Sequence, residues 1–278
     1  MTLLGPWTTD DTISDVNNKR IVKVTSELDG NWVVKIKSNK NLADTRGLEE
    51  LTEVLRLQQS KVRHMIELPN DAYHMFGQTA TEIWFAMKRY DGHLTSAHRG
   101  SWKRLAVYGL EFLQDMHRTH RRVYMDIRPE NVLVSYSGGL PDFCFADYEL
   151  VDEICDMKTR DYDLGCRWYF MARGAELDEP MYSWRQDLVA LGYLLVNLTK
   201  DADTPFIDEC FNRRDGGRRK HMSIKELLSS RDAEVYRAAN PVLQSYLNKI
   251  AEVSWKAVEP PSVEFYESLE ALFRGCSV

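Results

Sequence analysis

Five polar residues, in a fixed order along the chain, have the types that phosphate chemistry requires. Lys35 sits within Val33-Val34-Lys35-Ile36, and Glu50 follows in a leucine-patterned stretch. Asp126 and Asn131 share Tyr124-Met125-Asp126-Ile127-Arg128-Pro129-Glu130-Asn131, and Asp147 opens Asp147-Tyr148-Glu149 after a short apolar run. Phosphoryl transfer asks a protein for a cation against the phosphate oxygens, hard oxygen ligands for Mg2+, and a carboxylate that orients the attacking hydroxyl. Taken singly, each residue has an ordinary explanation: a strand lysine or a helix glutamate is usually a solvated side chain. It is the joint order of all five that points to chemistry.

Such side chains need elements to carry them. Residues 20–25 and 31–37 are β-branched runs separated by Glu27-Leu28-Asp29-Gly30, a hairpin signal. A helix is expected next, with Leu48, Leu51 and Leu55 on one face and Glu49, Glu50 and Glu53 around it. After Pro69-Asn70-Asp71, residues 73–76 and 82–87 read as two more strands, and Asp91-Gly92 marks a break. The period then changes. Trp102, Leu105, Gly109, Leu113 and Met116 recur at helical spacing, with His117, Arg118 and His120 expected in solvent at the C-terminal end of the dipole. Short strands at 132–134 and 143–146 flank Ser137-Gly138-Gly139, and an apolar helix spans about 186–198. Asn240-Pro241 opens a helix towards Trp255, and Pro260-Pro261-Ser262 opens the last one. The pattern is α+β: strand-rich over residues 1–90, larger and helical over 91–278, with a cleft near 88–92.

With 278 residues, 44% apolar, 28% charged and 11% aromatic, the chain can bury a large core. The same composition excludes collagen-like, coiled-coil and disordered classes. A net charge of −6 weighs against nucleic acid as a direct ligand. The five cysteines are odd in number and no two are spaced as a zinc or redox pair, which fits reduced intracellular thiols. No run of 18 apolar residues exists, so no membrane span is expected. The start, Met1-Thr2-Leu3-Leu4-Gly5-Pro6, lacks the basic and apolar regions of a signal peptide. An intracellular protein, cytoplasmic or nuclear, is the expectation.

The five-residue order resembles the protein kinase signature set, V-A-I-K, H-R-D-x-x-x-x-N and D-F-G. Tyr182-Ser183-Trp184-Arg185-Gln186-Asp187-Leu188-Val189-Ala190-Leu191-Gly192-Tyr193 is similar to a stretch of the casein kinase 1 and vaccinia-related kinase group, and Asp147-Tyr148 resembles that group's D-Y-G variant. The resemblance runs from about residue 13 to 275. It implies a two-lobed kinase-like fold with a small N-lobe over 1–90 and a larger C-lobe over 91–278, binding ATP and Mg2+. Lys35 would hold the α- and β-phosphates, braced by Glu50, with Glu49 and Glu53 as fallback partners. Asp126 would take or orient the substrate hydroxyl's proton, Arg128 would stand where the group has lysine, and Asn131 and Asp147 would hold Mg2+. Met87 to Tyr90 would face the adenine ring, and Asp187 would tether the catalytic loop's backbone.

Departures from the family pattern are equally specific. No glycine occurs between Gly5 and Gly30, so the glycine-rich loop is missing and residues 13–19 stand in its place. Asp15 there would repel phosphate. Tyr124 and Met125 replace His-Arg, Glu149 replaces the third-position glycine, and Gly165-Cys166 replaces Gly-Thr. Two outcomes stay open on these residues: an atypical protein serine/threonine kinase, and a pseudokinase acting as a scaffold. A small-molecule phosphotransferase is disfavoured by 182–193. The basic run 213–221 reads as a solvated loop, with docking of an acidic or phosphorylated protein partner or nuclear import as the functional readings.

Overall fold

The structure, a computed structural model, describes residues 3–16, 19–25, 31–38, 46–79, 81–154, 183–200, 214–215, 218–219, 235–253 and 259–275. Outside these lie the Gly165-Cys166 pair, Tyr182, Trp255 and most of the basic run at 213–221.

The architecture is α+β. Strands β1 (Leu3–Leu4), β2 (Trp7–Val16), β3 (Lys19–Thr25), β4 (Trp32–Ser38), β5 (Phe76–Gln78) and β6 (Glu82–Lys88) form one antiparallel sheet in the order β1-β2-β3-β4-β6-β5. Alternation sorts its side chains. Val22, Val24, Val34, Ile36, Trp84 and Ala86 pack with Trp7 in a small cluster, whereas Val33, Ile83, Phe85 and Met87 join the main core. Helix α1 (Arg46–Gln59) covers that second face through Leu51, Val54 and Leu57. Leu48, expected on the inner face, is exposed; the buried stripe instead follows Leu51, Val54 and Leu57 at helical spacing.

Residues 73–75 are not strand. Asp71 Oδ1 accepts from the Tyr73 and His74 amides, capping a short helix α2 (Ala72–Met75), and extended structure begins only at Phe76. A local side-chain cap outcompetes the strand propensity of Tyr73, which stays exposed.

After the short strand β7 (Gly92–His93), helix α3 (Trp102–Gln114) runs on through a π-turn at Asp115–Thr119 to β8 (Arg122–Val123). Strands β9 (Val132–Ser137) and β10 (Leu140–Phe145) form a hairpin closed by Gly138 and Gly139, both at positive φ as a tight primed turn requires. Strand β11 (Asp152–Glu153) pairs with β8. Helix α4 (Trp184–Thr199) is buried on nearly every side, including Leu188, Leu191, Leu195 and Leu198. Its approach to α3 is close: a Cβ on Gly109 would sit 2.7 Å from Leu191. Strands β12 (Arg214–Asp215) and β13 (Arg218–Arg219) pair, so the basic run carries a small hairpin rather than the expected loop. Helix α5 (Pro241–Ala251) is capped by Asn240 Oδ1, which accepts from Val242 and Leu243, and α6 (Val263–Arg274) buries Tyr266, Leu269 and Phe273 against α3. No helix among the described residues is long and apolar enough to cross a membrane.

Candidate active site

Period-two alternation on β4 turns Lys35 and Lys37 to the face that α1 covers, beside Val33. Helix α1 lowers Glu50 onto them. Lys35 Nζ donates to Glu50 Oε1 at 2.6 Å and to Asp147 Oδ1 at 3.0 Å. Lys37 Nζ lies 2.6 Å from Glu50 Oε2, off the hydrogen-bonding direction, and donates to Glu149 Oε1. Lys19 Nζ, reaching down from β3, contacts Asp147 Oδ2 at 3.4 Å and donates to Glu149 Oε2.

The six side chains therefore close a ring of alternating charge: Glu50, Lys35, Asp147, Lys19, Glu149, Lys37 and back to Glu50. Burying so many ions yields little net stability, because desolvation offsets most of the attraction. Its consequence is position. Burial alone would lower the Lys35 ammonium, but Glu50, then Asp147 and Glu149, hold it well above the usual lysine range. Burial would raise Asp147, but Lys35 and Lys19 hold it well below the usual carboxylate range. Glu149 is pushed up by burial and Asp147, and ends below its ordinary value because Lys37 and Lys19 outweigh both.

Asp147 sits at φ +64°, in the left-handed region that a non-glycine residue rarely adopts. The surroundings fix it there. Tyr124 donates its hydroxyl to the Ala146 carbonyl, Tyr148 donates to the Phe145 carbonyl, and the Tyr148 amide donates to Glu50 Oε1 at 3.2 Å. Tyr124 thus holds the residue just before Asp147.

Asp126 follows Met125, which is also at positive φ (+66°). The bend is held by Asp187 on α4, whose two oxygens accept from the Tyr124 and Met125 amides at 2.7 Å each. Asp187 also accepts from His117 Nε2 at 2.9 Å, and His117 Nδ1 meets the Tyr266 hydroxyl at 2.6 Å. His117 and His120 are both buried, contrary to the solvated helix end that the sequence implied. At the surface beside them, Arg118 donates to the Pro261 carbonyl and Arg121 pairs with Glu259.

The Asn131 amide nitrogen donates to Asp126 Oδ2 at 2.6 Å and to its carbonyl at 3.0 Å. Arg128 lies 3.3 Å from Asp126 and 3.8 Å from Asp147, joining this loop to the ring. Burial raises the Asp126 carboxyl to about 6, with Arg128 opposing and Asp147 reinforcing the shift. Arg128 Nε is buried without a hydrogen-bond partner among the described residues. A buried guanidinium donor of this kind suits an anionic ligand.

Met87 is buried in β6 opposite Val33, and Tyr90 packs on the main core with its hydroxyl taking the Glu67 amide. The Lys88, Arg89 and Asp91 amides bond to Glu67, Asn31 and Val134, whereas the Tyr90 amide makes no backbone bond among the described residues. Burial pushes the nearby Cys144 thiol up to about 12, which removes thiolate chemistry from this region.

Glu50, Asp147 and Glu149 each offer an oxygen within 4.8 Å of the others. Hard carboxylate oxygens suit Mg2+. The expected pair of ligands was Asn131 and Asp147. Asn131 gives its amide nitrogen to Asp126, which leaves only its carbonyl oxygen for that role, while Glu149 and Glu50 stand beside Asp147. Lys19, Lys37 and Glu149 are partners that reading the sequence did not bring together. The signal lies in the register, because Lys19 and Lys37 face each other directly across β3 and β4. Like charges so placed repel unless a carboxylate lies between them, and Glu149 is that carboxylate. No protein-family model matches the chain, and no curated protein matches it.

Proposed function

We propose that the chain is an atypical two-lobed protein kinase that transfers the γ-phosphate of ATP to a protein hydroxyl, with residues 1–90 and 91–278 as its lobes. The observation that carries this reading is the buried Lys35–Glu50–Asp147 contact, bridged by Arg128 to an Asp126 carboxylate with a raised pKa. Lys35 and Arg128 present cations to the phosphate oxygens. The adenine ring lies along 87–90, where the Tyr90 amide makes no backbone bond among the described residues. Asp126 accepts the hydroxyl proton as that oxygen bonds to the γ-phosphorus and the bond to the β–γ bridging oxygen breaks, giving a phosphoprotein and ADP. Asp147 and the Asn131 carbonyl, with Glu149 and Glu50 alongside, would hold Mg2+, which supplies charge neutralisation on the phosphates.

A second reading has one specific observation in its favour. Glu149 and Lys19 close the ring where a glycine-rich loop would leave room for phosphates, as expected of a pseudokinase scaffold. Both readings meet the same experiment. Purified chain with labelled ATP, Mg2+ and an acidic generic protein substrate should incorporate label. Asp126→Asn and Lys35→Met should reduce the rate by about 10²–10⁴-fold, the range for losing a positioned acid–base group. Equal label in wild type and Asp126→Asn would overturn the transfer reading.

A further inference from the structure

We infer that Lys19 is a latch that competes with a divalent cation for the Asp147 and Glu149 carboxylates. The inference rests on reading Asp147 as a metal ligand and adds a regulator to that site. Lys19 is the first residue of β3, at the tip of the β2–β3 hairpin, and the ammonium lies against one oxygen of each carboxylate. Its own strand register opposes it to Lys37, an arrangement that costs free energy unless Glu149 holds both.

The three ring lysines are not equivalent. Lys35 and Lys37 side chains are 7% and 12% exposed and share the fully buried Glu50, whereas Lys19 is 28% exposed and reaches only Asp147 and Glu149, not Glu50. Lys19 is therefore the cation that can leave without stranding Glu50. Three ammonium groups already balance the three carboxylates of the ring. A dication drawing oxygen ligands from Asp147 and Glu149 must displace a monocation from between them, and Lys19 holds that place. Without a metal ion the Lys19 ammonium bridges Asp147 and Glu149; once a divalent ion occupies those carboxylates, the Lys19 side chain is displaced.

The test is Mn2+ binding by the full chain without nucleotide, read from the electron paramagnetic resonance signal of free Mn2+. Lys19→Met should bind Mn2+ roughly tenfold more tightly than wild type, a difference of about 1.4 kcal/mol. Lys19→Gln, a second neutral variant, should match it, and Lys19→Arg, which keeps the charge, should stay close to wild type. Equal Mn2+ affinity in Lys19→Met and wild type overturns the latch. If Asp147→Asn still abolishes binding in that case, the metal site itself stands. Absence of Mn2+ binding in every variant overturns the latch and the metal assignment together. Tighter binding in both neutral variants, with no labelled phosphoprotein from wild type, would keep the latch and reject the kinase.

Discussion

Asp126 carries opposing consequences for the proposed transfer and for stability. Burial raises its carboxyl to about 6, above the ordinary aspartate value, so the folded state favours the protonated form. Ionising it therefore costs folding free energy. The cost sets in as pH rises above the unfolded-state value near 4 and is complete above about 6, where it is on the order of 3 kcal/mol. Asp126→Asn removes that cost while keeping an acceptor for the Asn131 amide. At pH 7.5 the variant should melt several degrees above wild type, and the gain should vanish near pH 4; scanning calorimetry at the two pH values checks this. An equal or lower melting temperature at pH 7.5 would contradict the raised pKa. Transfer follows the opposite sign, because only the carboxylate accepts a proton, and kcat/KM should fall about tenfold per pH unit below 6. Most of this site could be read from residue type and order. Lys19, Lys37 and Glu149 could not, because their meeting depends on hairpin register and on a strand end more than a hundred positions away along the chain.

At the level of elements, the loop over residues 124–131 is held in place from behind. Helix α4 supplies Asp187, α3 runs into the π-turn that carries His117, and α6 closes the series with Tyr266. Asp187→Ala leaves the Tyr124 and Met125 amides and His117 Nε2 without an acceptor. Each unsatisfied donor costs about 1–3 kcal/mol, and losing one partner of a buried pair costs about 3–5 kcal/mol. The melting temperature should drop by roughly 10 °C, and an unchanged value would contradict the tether. The burial of Asp187 follows from the all-round apolar character of α4. The burial of His117 also fits helical spacing, four residues after Leu113 and seven after Leu110 on the buried face of α3; its polar type and its place at the helix end are what suggest solvent. The short helix α2 escaped for a different reason. Tyr73 to Phe76 has strand composition, and Asp71 overrides it through two local hydrogen bonds.

Across the whole molecule, the change from period-two to helical patterning near Asp91 marks where the six-stranded sheet ends and the helical core begins. That division was legible because the hydrophobic period changes there, although Val33, Leu51, Ile83 and Phe85 share one core with the helices that follow. The ten-residue strand β2 was not, since Thr8 to Ser14 is polar, largely unburied and interrupted by register shifts against β3. The charge ring lies at the junction of the two parts, drawing Lys19, Lys35, Lys37 and Glu50 from the first and Asp147 and Glu149 from the second. A ligand held there should stabilise both together. At about one hundred times its dissociation constant a ligand contributes about 2.7 kcal/mol, or several degrees for a chain of this size. The most direct test of a metal-assisted nucleotide site is therefore the melting temperature of the full chain with millimolar Mg-ATP, with and without EDTA, in wild type and Asp147→Asn. A rise of several degrees that disappears with EDTA and in Asp147→Asn is the predicted result. No rise with Mg-ATP, or an equal rise in EDTA and in Asp147→Asn, would contradict it.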